Sequence, residues 1–335
     1  MNKLLRIFIA ALLIAACLGG FALFADYRHF LDAPIDVGDK GREITIAPGM
    51  SVGEVARTLE SQGILRTSLY LQAYARITGF ASRIKAGEYA LIPGTTPRTL
   101  MEQFVAGRVI QYSLTIVEGW TFRQMLEAVT GHGKLEHTLQ GLSDEQIMEL
   151  LDHPGEHPEG RFFPDTYQFP AGTSDSTFLK RAYDTMTSRL NEAWSSRSPN
   201  LPFTTPYEAL ILASVVEKET ALPSERPAIA GVFVRRLRKG MLLQTDPTVI
   251  YGLSDKFDGN LRSKDLRADS PYNTYVRPGL PPTPISLPGA ASLAAAVNPA
   301  PGDTLYFVAA GDGSHVFSTT LAEHNRAVRQ HQLNR

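Results

Sequence analysis

The sequence predicts an α+β protein: an N-terminal transmembrane helix, a small α+β subdomain and a larger mixed α+β domain. Three observations carry this. Ile7 to Ala25 is uncharged and apolar, close to the roughly 20 residues that cross a bilayer as a helix. Residues 42–92 read as strand, helix, helix, strand, with capping signals and glycine stops in place. Beyond them, capped helices and alternating strands are mixed along the chain, with no internal repeat and no low-complexity tract.

Residues 1–6 form a short tail in which Lys3 and Arg6 precede the apolar run. Positive residues on the short side of a span keep that side in the cytoplasm, so residues 7–25 are expected to span and everything after about Asp26 to be exported. A cleaved signal peptide is the alternative. Ile14-Ala-Ala-Cys17 is also similar to a bacterial lipobox, which would make Cys17 a lipidated N-terminus. The run stays apolar through Leu18 to Ala25, which a spanning helix needs and a lipoprotein does not.

After a polar linker over residues 26–41, Glu43 to Ile46 is β-prone, and Ser51-x-x-Glu54 is a capping box opening a helix that Gly63 stops. A second helix is predicted from Ser68 to Thr78, with Leu69, Ala73 and Ile77 at helical spacing and Gly79 as its stop. Lys85 to Ile92 closes the unit as a strand. Two helices on a small sheet suit a compact binding module, and residues 42–108 are expected to form a LysM-like subdomain of the kind that binds N-acetylglucosamine polymers.

A helix near Pro97 to Ala106 leads into residues 109–117, where Ile110, Tyr112, Leu114 and Ile116 alternate with more polar neighbours as in a half-buried strand. Thr121-x-x-Gln124 and Ser143-x-x-Gln146 open two further helices, and Asp175 to Trp194 is a long amphipathic one. Proline gathers between Pro271 and Pro301, which predicts a long loop, and long loops in compact chains are usually functional or disordered. Leu305 to Ala309, a turn at Gly311-Asp-Gly313, and His315 to Ser318 read as a closing hairpin before a polar C-terminal helix. Residues 109–335 form the larger domain.

Composition excludes more than it selects. With 33 basic and 34 acidic residues and a net charge of −1, nothing recommends nucleic acid as a partner. The single cysteine excludes an intramolecular disulfide, a Cys-x-x-Cys pair and multi-cysteine metal sites. There is no glycine-rich phosphate loop, no G-x-S-x-G elbow and no His-Glu-x-x-His. His153 and His157 are four apart, but Pro154 and Gly155 between them spoil a helical metal face. His315 and His324 read as hydrogen-bonded packing histidines.

The most informative segment is Thr205-Pro-Tyr-Glu-Ala-Leu-Ile-Leu-Ala-Ser-Val-Val-Glu-Lys-Glu-Thr220. Thr205 as N-cap, Pro206 at the first position and Glu208 three further on start a helix, and Leu210 to Val216 mark it as buried. At about 100° per residue, Glu219 shares a stripe with Leu212, Val215 and Val216, whereas Glu217 falls on the far side with Leu210, Ala213 and Ser214. One carboxylate or the other can face a cleft. Apolar surroundings and the negative helix end both raise a carboxyl pKa, and an acid still protonated near neutral pH can protonate the leaving oxygen of a glycosidic bond. The plainer reading is that Glu-Lys-Glu marks the helix emerging into solvent.

Three polar clusters sit among aromatics and prolines, as a sugar cleft requires: Phe162-Phe-Pro-Asp-Thr-Tyr167, Gln244-Thr-Asp-Pro-Thr-Val-Ile-Tyr251 and Pro271-Tyr-Asn-Thr-Tyr275. Asp246-Pro247 can also be only a helix start, and Phe162 and Phe163 can be core. Arg235, Arg236, Arg238 and Lys239 close a helix before Gly240, where a solvated basic end is expected.

These segments resemble the endolytic murein transglycosylases, the MltG or YceG-like family, over nearly the whole chain. The resemblance is carried by Glu159-Gly with Phe162-Phe-Pro-Asp-Thr-Tyr167, Ala213-Ser-Val-Val-Glu-Lys-Glu-Thr220, Leu243-Gln-Thr-Asp-Pro-Thr-Val-Ile-Tyr-Gly252, Tyr272-Asn-Thr-Tyr275, Gly279-Leu-Pro-Pro282, His315-x-Phe317 and His324-Asn325. It implies a single-pass bacterial inner-membrane lyase whose periplasmic catalytic domain, residues 109–335, cuts peptidoglycan glycan strands internally and leaves 1,6-anhydro ends. By the resemblance, the catalytic residue is Glu219, acting first as acid and then as base toward the muramic C6 hydroxyl. No metal or cofactor is implied, and penicillin-binding synthases in the same membrane are the expected partners. Gln244, Asp246, Asn273 and Tyr275 are expected to grip substrate. A non-catalytic wall-binding protein and a hydrolase with a water nucleophile are the rival functions. Thr283 stands where the family usually has glycine, so the contacts of that loop are expected to differ.

Overall fold

The computed structural model describes residues 3–333. The apolar run is helical, but the helix is longer than the run: α1 extends from Lys3 to Asp32, through part of the stretch expected to be linker. Its last turn buries Phe30 and Leu31, and that packing carries the helix past Ala25. The apolar part is exposed, and the helix is long and apolar enough to cross a membrane.

The chain divides into two units, one running up to Tyr112 together with Phe169–Gly172, the other comprising Ser113–Gln168 and Thr173 onward. In the first, β1 (Arg42–Ile46), α2 (Val52–Ser61), α3 (Ser68–Ile77), β2 (Gly87–Leu91) and α4 (Pro97–Ala106) follow α1. β1 and β2 pair antiparallel with Ile44 opposite Tyr89. Their inner faces meet Val55, Leu59, Leu71, Leu100 and Phe104 in one core. The capping box at Ser51 is formed: Glu54 N donates to Ser51 Oγ, and Ser51 N donates back to the Glu54 carboxylate at 2.7 Å.

The predicted face of α3 is corrected. Leu69 and Ile77 are 70% and 78% exposed, and Leu71, Tyr74 and Ala75 are buried instead. Tyr74 decides the orientation, since its ring packs edge-on to Phe80 at 6.1 Å and lies under the Arg98 guanidinium at 5.4 Å. Burying the large ring outweighs burying the Leu69 stripe.

β3 (Gln111–Thr115) and β5 (Thr166–Pro170) each have residues in both units, and the second unit continues with α5 (Phe122–Thr130), β4 (Leu135–Glu136), α6 (Asp144–Leu150), β6 (Thr173–Ser174), α7 (Asp175–Ser195) and α8 (Pro206–Glu219). After these come α9 (Arg226–Arg238), α10 (Asp246–Leu253), α11 (Ser263–Arg267), α12 (Ala290–Val297), β7 (Tyr306–Ala309), β8 (His315–Ser318) and α13 (Leu321–Val328). β3 pairs with β5 and β4 with β6, while β7 and β8 form the closing hairpin with Phe307 opposite Phe317. Together these elements make a mixed α+β fold.

α8 is the axis of this unit. Leu210, Leu212, Ala213, Val215 and Val216 pack against Ile229, Ala230 and Phe233 of α9, Leu293 and Ala296 of α12, and Met186 and Leu190 of α7. The proline-rich segment is therefore not all loop. It is irregular up to Gly289 and then forms α12, an apolar, proline-free helix buried against α8. The expected solvated basic end of α9 holds for Arg238 and Lys239, which are exposed, and is corrected for Arg235 and Arg236. Arg236 is 7% exposed and donates to the carbonyls of Leu305, Leu242 and Leu243, and Arg235 donates to those of Thr304 and Ala300. Backbone carbonyls left over between α9 and β7 recruit the guanidinium groups.

Candidate active site

α8 starts as its sequence requires, with Glu208 N donating to Thr205 Oγ1 and Thr205 N donating to the Glu208 carboxylate at 2.9 Å. Midway, Ser214 ties the proline-rich loop to the helix: its hydroxyl accepts from Ile285 N at 3.0 Å, and its carbonyl accepts from the Ser286 hydroxyl at 3.1 Å. The helix ends inside the protein. The idea that Glu-Lys-Glu simply emerges into solvent is therefore corrected, because only Lys218 of the three is exposed.

The two glutamates have separate fates. Glu217 is a structural anion, its side chain 4% exposed, paired with Arg226 at 2.7 Å and accepting from Gly289 N at 2.9 Å. Among the described residues no cation is bonded to Glu219. Its carboxyl accepts a hydrogen bond from the Thr245 hydroxyl. Burial pushes it up to about 7, the nearby Asp246 carboxylate adds to the rise, and the Thr245 bond and His315 draw it down. It is therefore poised to hold a proton near neutral pH and to lose it locally, as a general acid and base must.

A second carboxyl is also raised to about 7 by burial. Glu159 accepts from Phe122 N at 2.9 Å and from the Tyr251 hydroxyl at 3.1 Å. At 3% exposure it is closed to any substrate. Tyr251 stacks edge-on to Tyr272 at 4.9 Å, whose hydroxyl reaches Thr283 Oγ1 at 2.9 Å. Thr283 thus adds a hydrogen bond to the Tyr251–Tyr272 pair. Access separates the two acids: Glu219 is partly exposed and Glu159 is not.

Thr245 is the N-cap residue of α10, yet its side chain makes no cap bond and turns to Glu219. Such a cap is worth about 1 kcal/mol, so the fold forgoes it to hold the carboxyl. Gln244, just before, has a left-handed backbone with φ 53°. It is held there by its N–H to Thr274 O at 3.1 Å and by Arg236 Nη1 to its Oε1 at 3.2 Å. Asp246 accepts from the Tyr275 hydroxyl at 2.5 Å, and burial followed by this bond raises the phenol pKa.

Of the residues expected to grip substrate, Asp246 and Tyr275 meet beside Glu219, and Gln244 is exposed next to Thr245. Asn273 does not join them. It is 1% exposed, its amide donates to the carbonyls of Asp265, Leu266 and Ala268, and its oxygen accepts from Tyr275 N. It folds the loop that carries Tyr275. Thr245 and Thr274 are site residues that sequence reasoning passed over. Both lie inside the quoted clusters, but no spacing rule marks a threonine as the partner of a glutamate 26 residues away.

Beside these residues a shallow groove of about 310 Å³ is lined by Pro271, Thr274, Arg277, Pro278, Gly279 and Leu280. His153 stacks on Tyr183 at 3.8 Å, and His157 Nδ1 accepts from Glu159 N at 3.2 Å, so the two are used separately. Among the described residues no group of three or more His, Cys, Asp or Glu side chains is arranged to hold a metal ion.

The YceG-like family profile matches residues 44–330. An endolytic murein transglycosylase of Bacillus subtilis is 32% identical over 319 residues, covering 90% of this chain and 88% of that protein. An endolytic murein transglycosylase of Streptococcus pneumoniae is 28% identical over 367 residues, covering 97% of this chain but 65% of its own length. The crystal structure of a yceG-like protein from Listeria monocytogenes superposes with a TM-score of 0.55 at 28% identity, covering 86% of this chain and 99% of that one.

Proposed function

The chain belongs to the YceG-like family, and from that premise we propose that it is an endolytic murein transglycosylase, a lyase that cuts glycan strands of peptidoglycan internally and so limits their length. The observation that carries this is Glu219: one partly exposed carboxyl, raised to about 7 by burial and held by Thr245 at the inner end of a buried helix. A single such group can perform both proton transfers. Glu219 gives its proton to the departing oxygen as the bond to the muramic anomeric carbon breaks. The resulting carboxylate takes the proton of the muramic C6 hydroxyl as that oxygen bonds to the anomeric carbon, leaving a 1,6-anhydro end. Water takes no part, so the second carboxylate of ordinary glycoside hydrolysis is not needed. Asp246, Tyr275 and Gln244 grip sugar hydroxyls around Glu219, and Asn273 serves by holding the Tyr275 loop.

The same reading makes α1 a single-pass anchor in the inner membrane, with residues after it in the periplasm, the LysM-like residues 42–108 holding glycan, and penicillin-binding synthases as neighbours. Digestion of purified sacculi by the wild type and by Glu219→Gln tests it. Anhydro ends from the wild type alone support the proposal. Reducing ends would point to a hydrolase, and no cleavage to a binding protein. Full activity in Glu219→Gln would refute the residue assignment.

A further inference from the structure

The end of α1 is clasped by the start of α3. The apolar run stops at Ala25, and Asp26 is the first charged residue after Arg6. Arg66 Nη2 donates to both oxygens of the Asp26 carboxylate at 2.9 Å, and the Tyr70 hydroxyl donates to the same carboxylate at 2.9 Å. The Tyr70 ring packs edge-on against Tyr27 and Phe30, each at 5.5 Å between centroids. Further along α1, Arg98 Nε pairs with Asp32 at 2.8 Å, and Phe30 and Leu31 are buried in the core of the unit. These contacts fix a depth. Residues 7–25 rise about 28 Å as a helix, close to the roughly 30 Å of hydrocarbon in a bilayer. If α1 spans, Asp26 lies where the hydrocarbon ends, and residues 66–70, which hold it, lie in a headgroup layer about 5–8 Å thick. From there α3 leads away, because Tyr70 bonds Asp26 whereas Tyr74, one turn on, packs under the Arg98 guanidinium that holds Asp32. Leu69 stands in the first turn of α3 and is 70% exposed. Helical side chains lean toward the N-terminus, here the membrane side. Ile77 ends the same helix and is 78% exposed, but it is about 12 Å further from that level.

We propose that the first turn of α3, with Leu69 at its tip and Tyr27 and Tyr70 beside it, is seated in the phospholipid headgroup layer of the membrane that α1 crosses. The proposal rests on the reading of α1 as a membrane anchor. The first unit is then held against the bilayer surface in one orientation, because the anchor and α3 are clasped at Asp26 and again, through Arg98, at Asp32. A leucine left open to solvent beside a spanning helix gains by entering the interface, and tyrosines suit that depth because the ring meets the apolar side and the hydroxyl the wet side. Charge contributes little to the seat. The acidic residues at this end of α1 are already paired, Asp26 with Arg66 and Asp32 with Arg98, so the surface seats in zwitterionic lipid and does not require anionic headgroups.

The test is depth-dependent fluorescence quenching, with the full chain reconstituted in phosphatidylcholine vesicles that contain no other protein. Cys17→Ala removes the single native thiol. In that background Leu69→Cys, Ile77→Cys and Ile14→Cys, all at exposed positions, are each labelled with a thiol-reactive dye. Lipid carrying a spin label on its headgroup should quench the dye at position 69 about threefold more than the dye at position 77, at low and high salt alike. Equal quenching at the two positions overturns the proposal, and so does a seat on a partner protein, which would leave position 69 unquenched in lipid alone. Asp26→Ala, which releases Arg66 and Tyr70, should lower the quenching at position 69 about twofold. An unchanged value there would show that the clasp does not set the depth and would also refute the idea. Lipid labelled within its acyl chains should quench the dye at position 14. Its failure to do so would remove the anchor reading instead, which keeps the two failures distinct.

Discussion

Replacing Glu219 by glutamine should abolish activity and at the same time stabilise the fold, but only at neutral and alkaline pH. The carboxyl has a folded-state pKa of about 7 against an ordinary value of 4.5. Below pH 4.5 it is protonated whether the chain is folded or not, and it contributes no pH dependence. Between pH 4.5 and 7 the unfolded chain releases the proton while the folded one keeps it, so wild-type stability falls as pH rises and levels off above 7. The difference between 7 and 4.5, at about 1.4 kcal/mol per unit, sets an upper bound of about 3.5 kcal/mol. Because the carboxyl is partly open to solvent, about half of that is expected to be seen. Glu159 titrates in the same range, but it is present in both proteins and cancels in the comparison. Both tryptophans, Trp120 and Trp194, lie in the second unit, so their fluorescence during denaturant unfolding of the full chain in detergent reports the unit that holds the site. The advantage of Glu219→Gln over the wild type should be larger at pH 8 than at pH 4.5 by about 1–3 kcal/mol. An equal difference at the two pH values would show that the carboxyl is not held protonated by its surroundings, and the acid–base argument would lose its basis.

Thr245→Val removes a donor that draws the Glu219 pKa down, so the alkaline limb of turnover should rise by about one pH unit, with a fall in the limb counting against the assignment. Gly160 has φ +78°, and a Cβ there would lie 2.5 Å from that of Pro284. Gly160→Ala should cost about 2–4 kcal/mol of stability, read by the same fluorescence unfolding. Arg226→Met leaves Glu217 buried without its cation and should destabilise the second unit by about 3–5 kcal/mol, whereas a loss near zero would mean the pair contributes little.

What was legible in the sequence was what is decided locally. The capping boxes at Ser51, Thr121, Ser143 and Thr205 all form, because donor and acceptor lie within three residues of each other. The buried character of α8 and the strands of the closing hairpin were readable for the same reason. Glu217 and Glu219 were not separable by helical spacing, since their fates depend on distant partners: Gly289 is 72 residues from Glu217, and Thr245 is 26 residues from Glu219. The same applies to Arg236, whose α9 position suggested solvent until the Leu305 carbonyl, 69 residues on, claimed it. Asn273 sits in a motif with Tyr275, yet one side chain is used to fold the loop and the other to reach the site.

Thr245 makes the physical reason explicit. At an N-cap, local rules give its hydroxyl to the first turn of α10, and any reading by proximity in sequence would place it there. The fold instead turns that hydroxyl onto Glu219, leaves the helix start without its side-chain cap, and holds Gln244 beside it in a left-handed conformation. Two local preferences are broken within two residues, and both departures converge on one carboxyl. Structures violate local rules where another requirement outweighs them, and that requirement is most often a functional site. The second raised carboxyl, Glu159, shows no such departure: it is sealed by a backbone amide and a tyrosine hydroxyl. Burial alone would not distinguish the two acids. The broken cap and the left-handed residue do, and they point to Glu219.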